Sequence, residues 1–254
     1  MATWNVNSIR ARVVRTVDFA VREDIDVLAM QEIKCKPEQF PCAEFEAAGY
    51  TVEAHGLNQW NGVAIASREP IEDLQIGFPG MPGFAKGHDG PDAPQEARAI
   101  GGTVDGVQLW SLYVPNGRSL DDPHYTYKLA WLDKLADYAA NGPDKLCLVG
   151  DFNIAPRDKD VWDRSYFEGK THVTPKERAA LSKLEEAGLT QATTLIEDEY
   201  TYWDYQAGRF TKDEGMRIDF QLFSPALAAC VVTLMACKPR STEPPIDLDD
   251  DPEL

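Results

Sequence analysis

The sequence predicts a single α/β domain with two or more layers. Short apolar runs of strand length alternate along the chain with segments of helical periodicity. No convincing linker and no internal repeat divides the 254 residues, and an apolar content of 43% is enough for a sizeable core. We place the domain at residues 1–246, followed by an acidic C-terminal tail at residues 247–254.

Each element has its own signal in the sequence. Apolar residues at helical spacing predict helices at Arg10–Glu23 and Tyr125–Ala139. Thr174 and Glu177 form a capping box at the start of a helix that ends at Ala187. The remaining apolar runs predict strands, including one hairpin turned at Asp105-Gly106, and a Gly- and Pro-rich stretch predicts a long loop. The strands are Met1–Val6, Asp26–Met30, Gly62–Ser67, the hairpin Ile100–Tyr113, Lys145–Val149, Met216–Ser224 and Cys230–Ala236, and the loop is Gly77–Gln95.

Composition excludes several classes of protein. Lys and Arg total 25 against 42 Asp and Glu, so a net charge of −17 rules out binding of polyanions through bulk charge but leaves room for a local basic groove. No apolar run reaches the length of a membrane span. The five cysteines are irregularly spaced, and Met1–Arg10 lacks the apolar core of a signal peptide. We therefore expect a cytoplasmic monomer that does not associate with membranes.

Polar residues stand where the predicted strands end or begin. A single Asn in such a place is an ordinary turn residue, whereas Asp219 lies inside the apolar segment Arg217–Phe223 and needs a partner or a metal. Because α/β proteins place their chemistry on loops at strand ends, we expect these residues to form one site. They are Asn5, Asn7, Glu32, Asn61, Tyr113, Asn116, Asp151, Asn153 and Asp219.

The chemistry of this set is that of a hard metal. Three carboxylates, Glu32, Asp151 and Asp219, together with amide side chains, offer oxygen ligands that suit Mg²⁺ or Mn²⁺ rather than Zn²⁺. The sequence has no cysteine–histidine cluster with zinc spacing, Walker loop, nucleophile elbow or dinucleotide fingerprint. A hard metal held by carboxylates indicates phosphate ester chemistry.

Seven short segments, in order, make the chain resemble a known family. The segments are Thr3–Arg10, Gln31–Lys34, Asn61–Ile65, Tyr113–Gly117, Gly150–Pro156, Thr201–Asp204 and Arg217–Phe220. They resemble the exonuclease III group of class II apurinic/apyrimidinic endonucleases, within the endonuclease/exonuclease/phosphatase superfamily. The resemblance implies a four-layer α/β sandwich, in which two packed mixed sheets are flanked by helices and the site lies at one end.

For the metal site, the resemblance implies Mg²⁺ as cofactor, with Mn²⁺ as the alternative. Glu32 is similar to the direct metal ligand of the family, and Asn5 to the residue that supports the metal site from beside it. Asp151 resembles the residue that orients or deprotonates the attacking water, and we count it among the metal-site residues. Asp219 resembles the carboxylate that aids the leaving group or serves a second metal position.

The resemblance also implies contacts with DNA. Tyr113 would hydrogen-bond the scissile phosphate, and Asn153 would hold the phosphate or the nucleophile. Trp203 and Phe220 are similar to the apolar wall of a pocket for an abasic sugar, which leaves the helix more cheaply than an intact nucleotide. The other residues assigned to the DNA or abasic pocket are Asn7, Arg10, Lys34, Asn61, Asn116 and Arg118, and further cations near the motifs are Arg12, Lys36, Lys128, Arg157 and Lys159.

One segment departs from the family pattern. Where the family has Ser-Asp-His, this chain has Ser241, Thr242 and Glu243, so the Asp–His pair that acts at the phosphate is replaced. Loss of such an acid–base or charge-stabilising group costs about 10²–10⁴-fold in rate. The two explanations left open are a weakened enzyme and an altered reading frame over Leu234–Pro245. No histidine follows His172, and we expect all four histidines to be solvated loop residues: His55, His88, His124 and His172.

Three functions remain at this point. The first is a Mg²⁺-dependent DNA repair nuclease that cleaves 5′ to abasic sites in double-stranded DNA and trims 3′ ends, weakened by the Thr242 and Glu243 departure. The second is a homologue that binds abasic or nicked DNA with little or no cleavage. The third is a phosphatase of the same superfamily, which the Trp203 motif disfavours. If DNA is the partner, binding must weaken steeply as salt rises.

Overall fold

A computed structural model describes residues 1–86, 93–192 and 199–231 of the chain. The predictions for Thr242, Glu243, the acidic tail and His88 lie outside these residues. The helices are α1 (Ile9–Arg22), α2 (Cys42–Ala47), α3 (Pro123–Ala140), α4 (Pro175–Glu186) and α5 (Pro225–Ala228). The strands are β1 (Ala2–Asn5), β2 (Val27–Gln31), β3 (Thr51–His55), β4 (Val63–Ser67), β5 (Glu72–Ile76), β6 (Ala99–Val104), β7 (Val107–Tyr113), β8 (Leu146–Asp151), β9 (Thr190–Gln191), β10 (Tyr202–Trp203), β11 (Gly215–Met216) and β12 (Asp219–Phe223).

The strands form two large mixed sheets. The first has the order β1-β2-β4-β3, and the second has the order β5-β6-β7-β8-β12-β9. The β1–β2 and β7–β8 pairs are parallel, and the other pairs in these sheets are antiparallel. Strands β10 and β11 form a separate antiparallel ribbon. In the part of the chain that the structure describes, no helix is both long and apolar enough to cross a membrane.

Three apolar clusters arrange these elements in four layers. Alternate residues of β2 point to opposite faces, so that Ala29 packs between the sheets while Leu28 and Met30 pack toward the helices on the outside. Helices α1 and α2 cover that outer face through Ile9 and Phe45. Helices α3 and α4 cover the outer face of the six-stranded sheet with Trp131, Leu132, Leu135, Leu181 and Leu184. The predicted four-layer α/β sandwich is confirmed.

Most predicted elements are present within a few residues of their predicted ends, including the hairpin and the capped helix α4. The predicted strand Met216–Ser224 is divided, because Arg217 and Ile218 leave the ladder and donate their backbone N–H groups to Asp160 O (2.8 Å) and Thr201 Oγ1 (3.1 Å). Asp219 consequently opens β12 and does not lie inside a strand. Of the predicted strand Cys230–Ala236 only residues 230 and 231 are described, and neither is in a strand.

Candidate active site

The ends of five strands bring the predicted site residues together. In the six-stranded sheet, Asp151 pairs with Tyr113 on one side and with Asp219 on the other. In the four-stranded sheet, Asn5 ends β1, and Glu32 directly follows β2. The strand end at Asp151 depends on Gly150, which has φ +145° and whose Cβ, if present, would lie 1.9 Å from the carbonyl oxygen of Leu112.

One amide joins the carboxylates of the two sheets. Asn5 Nδ2 donates to Glu32 Oε1 (2.8 Å) and to Asp151 Oδ2 (2.9 Å), and Asn5 Oδ1 accepts the backbone N–H of Asn7 (3.1 Å). Tyr113 Oη donates to Glu32 Oε1 as well (2.8 Å). Neutral donors therefore hold Glu32 and Asp151 next to each other at the meeting point of the sheets.

The electrostatics of Asp151 and Asp219 show a deficit of positive charge. Burial, together with the charge of Glu32, raises the pKa of Asp151 to about 7 despite the hydrogen bond from Asn5. Burial and the charge of Asp151 raise the pKa of Asp219 well above its ordinary value. Asp219 Oδ1 is closed off from solvent and accepts no hydrogen bond, and neither aspartate has a salt bridge among the described residues.

These oxygens fit a hard divalent cation. Across residues 1–86, 93–192 and 199–231, no three His, Cys, Asp or Glu side chains already surround one point as a closed metal cage. Mg²⁺ does not require such a cage, because it keeps several waters and takes one or two carboxylates together with phosphate oxygens. Glu32, Asp151 and Asp219 can supply those carboxylates, and Asp219 Oδ1 is a buried acceptor that no donor in the described part of the chain satisfies.

A pair of asparagines lies beside the carboxylates. The backbone N–H of Asn153 donates to Asp151 Oδ1 (2.8 Å), and Asn153 Nδ2 donates to Val114 O (3.0 Å). Asn153 Oδ1 accepts from Asn116 Nδ2 (3.1 Å) and lies 3.2 Å from His172 Nε2. The expectation of a solvated His172 is wrong, because burial lowers the pKa of its imidazole to about 4 and Thr171 Oγ1 lies 2.9 Å from its Nδ1.

Glu96 and Arg98 make a further set of contacts that supports the site. These contacts were not predicted from the sequence. Glu96 accepts from Asn61 Nδ2 (3.2 Å) and from Arg98 Nε (2.6 Å), and the Arg98 guanidinium lies 4.9 Å from the centre of the Tyr113 ring. Burial opposes the charge on Glu96, but His124 and Arg98 outweigh it and lower the pKa to about 2. His124 is buried, not solvated as expected. The signal available was a charged pair directly before the apolar strand β6.

Several residues predicted to contact DNA lie at or near the site. Arg10 is exposed in the first turn of α1, and the Arg118 side chain is 53% exposed in the loop before α3. Lys34 lies 3.2 Å from Glu32 Oε2 and donates to Asn7 Oδ1, so its charge faces the carboxylates. Trp203 is half-buried in β10, where its indole N–H donates to Asp213 Oδ1 (3.3 Å).

Other expected contacts are wrong. Phe220 is fully buried against Phe152 in the core of the six-stranded sheet, on the opposite face of β12 from Asp219, so it cannot line a pocket. Lys128 is fully buried and Arg12, which donates to the backbone carbonyl of Asn7, is nearly so. Neither cation can touch DNA.

The backbone is strained at this site. Seven of its non-glycine residues have positive φ angles, between 41° and 79°. Asparagine tolerates this region, but longer side chains such as Glu32 and Lys34 rarely adopt it, and strain of this kind concentrates at functional sites. The seven residues are Asn7, Glu32, Lys34, Asn61, Arg118, Asn153 and His172.

Comparison with known proteins gives consistent results. The profile of the Endonuclease/Exonuclease/phosphatase family matches residues 2–240. The structure of the 3′-5′ exonuclease NExo from Neisseria meningitidis is 36% identical with a TM-score of 0.81, and that of an AP endonuclease from Archaeoglobus fulgidus is 33% identical with a TM-score of 0.80. Each match covers 89% of this chain and 87% of the other. Exodeoxyribonuclease III of Haemophilus influenzae is 29% identical over 96% of this chain and 95% of its own. The chain belongs to the Endonuclease/Exonuclease/phosphatase family and, within it, to the exonuclease III group of nucleases.

Proposed function

We propose that the protein is a Mg²⁺-dependent DNA repair nuclease that cleaves the phosphodiester 5′ to abasic sites and trims 3′ ends. The observation that carries the proposal is that Asn5 bridges Glu32 and Asp151 and that Asp219 pairs with Asp151 in the sheet, while neither aspartate has a salt bridge among the described residues. Solved relatives at 33% and 36% identity are described as an AP endonuclease and as a 3′-5′ exonuclease. Both of these activities break phosphate ester bonds of DNA.

Mg²⁺ would be held by Glu32, Asp151 and Asp219, with Mn²⁺ as the alternative ion. Asn5 would set the spacing between Glu32 and Asp151, because each of its amide hydrogens bonds one of these carboxylates. When bound, the ion neutralises charge on the scissile phosphate and on the leaving oxygen. Its own charge would also lower the raised pKa of Asp151 and Asp219.

The remaining side chains would position phosphate and water. Asp151 would orient the attacking water, since hydrogen bonds from Asn5 and Asn153 fix both of its carboxylate oxygens. Asn153 donates one amide hydrogen to Val114 O and has a second to give to a phosphate or the nucleophile. Burial raises the pKa of the Tyr113 hydroxyl and keeps it protonated, so its one hydrogen bond, which Glu32 Oε1 now accepts, would pass to the phosphate when substrate binds.

A second candidate is a homologue that binds abasic or nicked DNA and cleaves it poorly. It is favoured by Thr242 and Glu243, which stand where the family has its Asp–His pair. A glutamate there would add a negative charge next to the phosphate in place of a group that stabilises charge.

An incision assay with a panel of substrates separates these functions. Duplexes with an abasic site, with a 3′-phosphate end or with neither are incubated with wild type and with the double variant Thr242→Asp/Glu243→His, in Mg²⁺ or in EDTA. We expect Mg²⁺-dependent incision that leaves a 3′-hydroxyl, and a gain of about 10²-fold or more in the double variant.

Two other outcomes would change the assignment. Tight binding of the abasic duplex with no cleavage by either protein would favour the DNA-binding homologue. Hydrolysis of small phosphate esters with no action on any duplex would favour a phosphatase and contradict the proposal.

A further inference from the structure

A buried ion pair lies directly behind the two site asparagines. Lys128 of α3 and Glu177 in the first turn of α4 are both fully inaccessible to solvent, with Lys128 Nζ 2.5 Å from Glu177 Oε1. Removing two charges from water is costly, and apolar residues of similar volume often serve stability as well or better. A fully buried ion pair next to the site therefore calls for a reason beyond stability.

The ammonium group of Lys128 donates its other two hydrogens to backbone carbonyls of the site. Nζ donates to the backbone carbonyls of Asn153 (2.7 Å) and Asn116 (3.2 Å) as well as to Glu177. An ammonium has three hydrogens, and these three acceptors use all of them. The lysine therefore ties together the backbones of two residues whose side chains bond each other at 3.1 Å.

The carboxylate of Glu177 binds His172, which lies next to Asn116 and Asn153. Glu177 Oε1 also accepts the backbone N–H of His172 (2.9 Å), and the His172 ring reaches Asn153 Oδ1. The other oxygen of Glu177, Oε2, accepts the backbone N–H of Thr174 (3.0 Å) and so completes the N-terminal cap of α4. Asn153 has φ 52° and His172 has φ 79°, which are conformations that need outside support to persist.

We propose that the Lys128–Glu177 ion pair is a positioning device that holds Asn116, Asn153 and His172 in the geometry the reaction needs. The inference rests on the proposed function, since Asn153 is expected to hold the phosphate or the nucleophile. Lys128 and Glu177 touch no substrate and act only through the cluster they support. A shift of about 1 Å in such a group can cost about 10²-fold in rate.

The test uses a double variant that removes both charges together. Lys128→Met/Glu177→Gln leaves no unpaired buried charge, and Gln at this position can still take part in a capping box. The surface pair Lys183–Asp133 links the same two helices at 2.7 Å with both side chains half exposed, so Lys183→Met/Asp133→Asn is the matched control. Thermal midpoint, kcat, KM and the side-chain amide NMR signals of Asn116 and Asn153 are measured for all of them.

The proposal predicts a specific combination of results. The melting temperature of the double variant should lie nearer to that of wild type than do those of the single variants Lys128→Met and Glu177→Gln. Its kcat should nevertheless stay reduced by about 10- to 100-fold, with KM within about twofold of wild type. The Asn116 and Asn153 amide signals should shift or broaden, and the control should change none of these readings. Recovery of kcat along with the melting temperature would overturn the proposal.

The side-chain amide NMR signals of Asn116 and Asn153 test the positioning role even if no substrate is cleaved. If wild type cleaves none of the DNA substrates, the proposed function fails, but displaced Asn116 and Asn153 signals still support the positioning device. Unchanged signals in the double variant would reject it.

Discussion

Two groups of carboxylates in this protein stand in different electrostatic surroundings. The paired carboxylates are Glu96, Asp160 and Glu177, and the site carboxylates are Glu32, Asp151 and Asp219. Burial is the largest influence on the pKa of Asp151, Asp219 and all three paired carboxylates, and in every case it works to raise the pKa.

The difference between the groups is the presence of a cation. Arg98, Arg217 and Lys128 lie within 3 Å of their paired carboxylates and reverse the effect of burial, so that the pKa of each is lowered. The pKa values of Asp151 and Asp219 stay raised because amides and hydroxyls cannot replace a charge. The comparison teaches that each paired carboxylate already has a neutralising cation, whereas Asp151 and Asp219 have no salt-bridge partner among the described residues. This difference supports the proposal that the site takes up a cation.

The largest expected effect comes from removing a site carboxylate. Asp151→Asn should lower the rate of DNA cleavage by about 10²–10⁴-fold, because it removes the group proposed to orient the water. It should lower the free energy of unfolding of the metal-free protein by only about 1 kcal/mol, because one of two accepted hydrogen bonds is lost but no salt bridge among the described residues is broken. Cleavage kinetics measure the rate, and urea unfolding in EDTA measures the free energy of unfolding. A large loss of stability would contradict the comparison.

The reverse pattern is expected for a paired carboxylate. Asp160→Asn leaves the buried guanidinium of Arg217, now 2.9 Å from Asp160 Oδ1, without its partner, and should reduce the free energy of unfolding by about 3–5 kcal/mol. Asp158→Asn is the control, since Asp158 pairs with Arg178 at the surface, where solvent screens the pair, and its loss should cost far less. Equal losses in the two variants, measured by urea unfolding, would show that burial of the pair is unimportant.

Glu96 gives the pH dependence of the paired group. Its folded pKa of about 2 lies below the ordinary value of 4.5, so its stabilisation is complete above pH 4.5 and is lost as pH falls toward 2. Glu96→Gln should therefore reduce the free energy of unfolding by about 3 kcal/mol at pH 7 and by much less at pH 3. Urea unfolding of both proteins at the two pH values tests this. If wild type and Glu96→Gln differed in free energy of unfolding by the same amount at pH 7 and at pH 3, the charge of Glu96 would not be the cause.

The smallest effect is expected at the rim, where cations can serve an incoming phosphate. Arg118→Ala should weaken binding of an abasic duplex several-fold and reduce the salt slope of binding by about 1. Lys134→Ala is the control, because Lys134 is equally exposed at 53% but lies further along α3, paired with Asp137. Binding is measured by fluorescence anisotropy at several salt concentrations. Identical losses in both variants would assign the effect to net charge alone.

The sequence alone predicted the members of the site carboxylates but not of the paired ones. Asn5, Glu32 and Asp151 stand at strand ends, and the place of a strand end in an α/β fold follows from local patterns. The pairing of Lys128 with Glu177 depends on how α3 packs on α4, since the partners are 49 positions apart in the sequence. The one local signal was a lysine on the apolar face of a helix, four residues before Leu132.

The errors at Phe220 and His172 have the same cause. Phe220 neighbours Asp219 in sequence, but alternation along β12 sends the two side chains to opposite faces, which a motif does not show. His172 stands in a polar segment that predicts a solvated ring, and only the fold reveals Asn153 and Asn116 beside it. Local patterns locate the strand ends, whereas tertiary packing decides what each neighbouring side chain touches.

The central claim is that Asp151 and Asp219 have no salt-bridge partner among the described residues and that their site binds Mg²⁺. It is tested most directly by thermal unfolding at pH 8 with EDTA or with increasing Mg²⁺. We expect the midpoint of wild type to rise with Mg²⁺, by the equivalent of about 2.7 kcal/mol at 100 times the dissociation constant, and that of Glu32→Gln to rise far less. A wild-type midpoint that does not respond to Mg²⁺, or an equal rise in both proteins, would contradict the account.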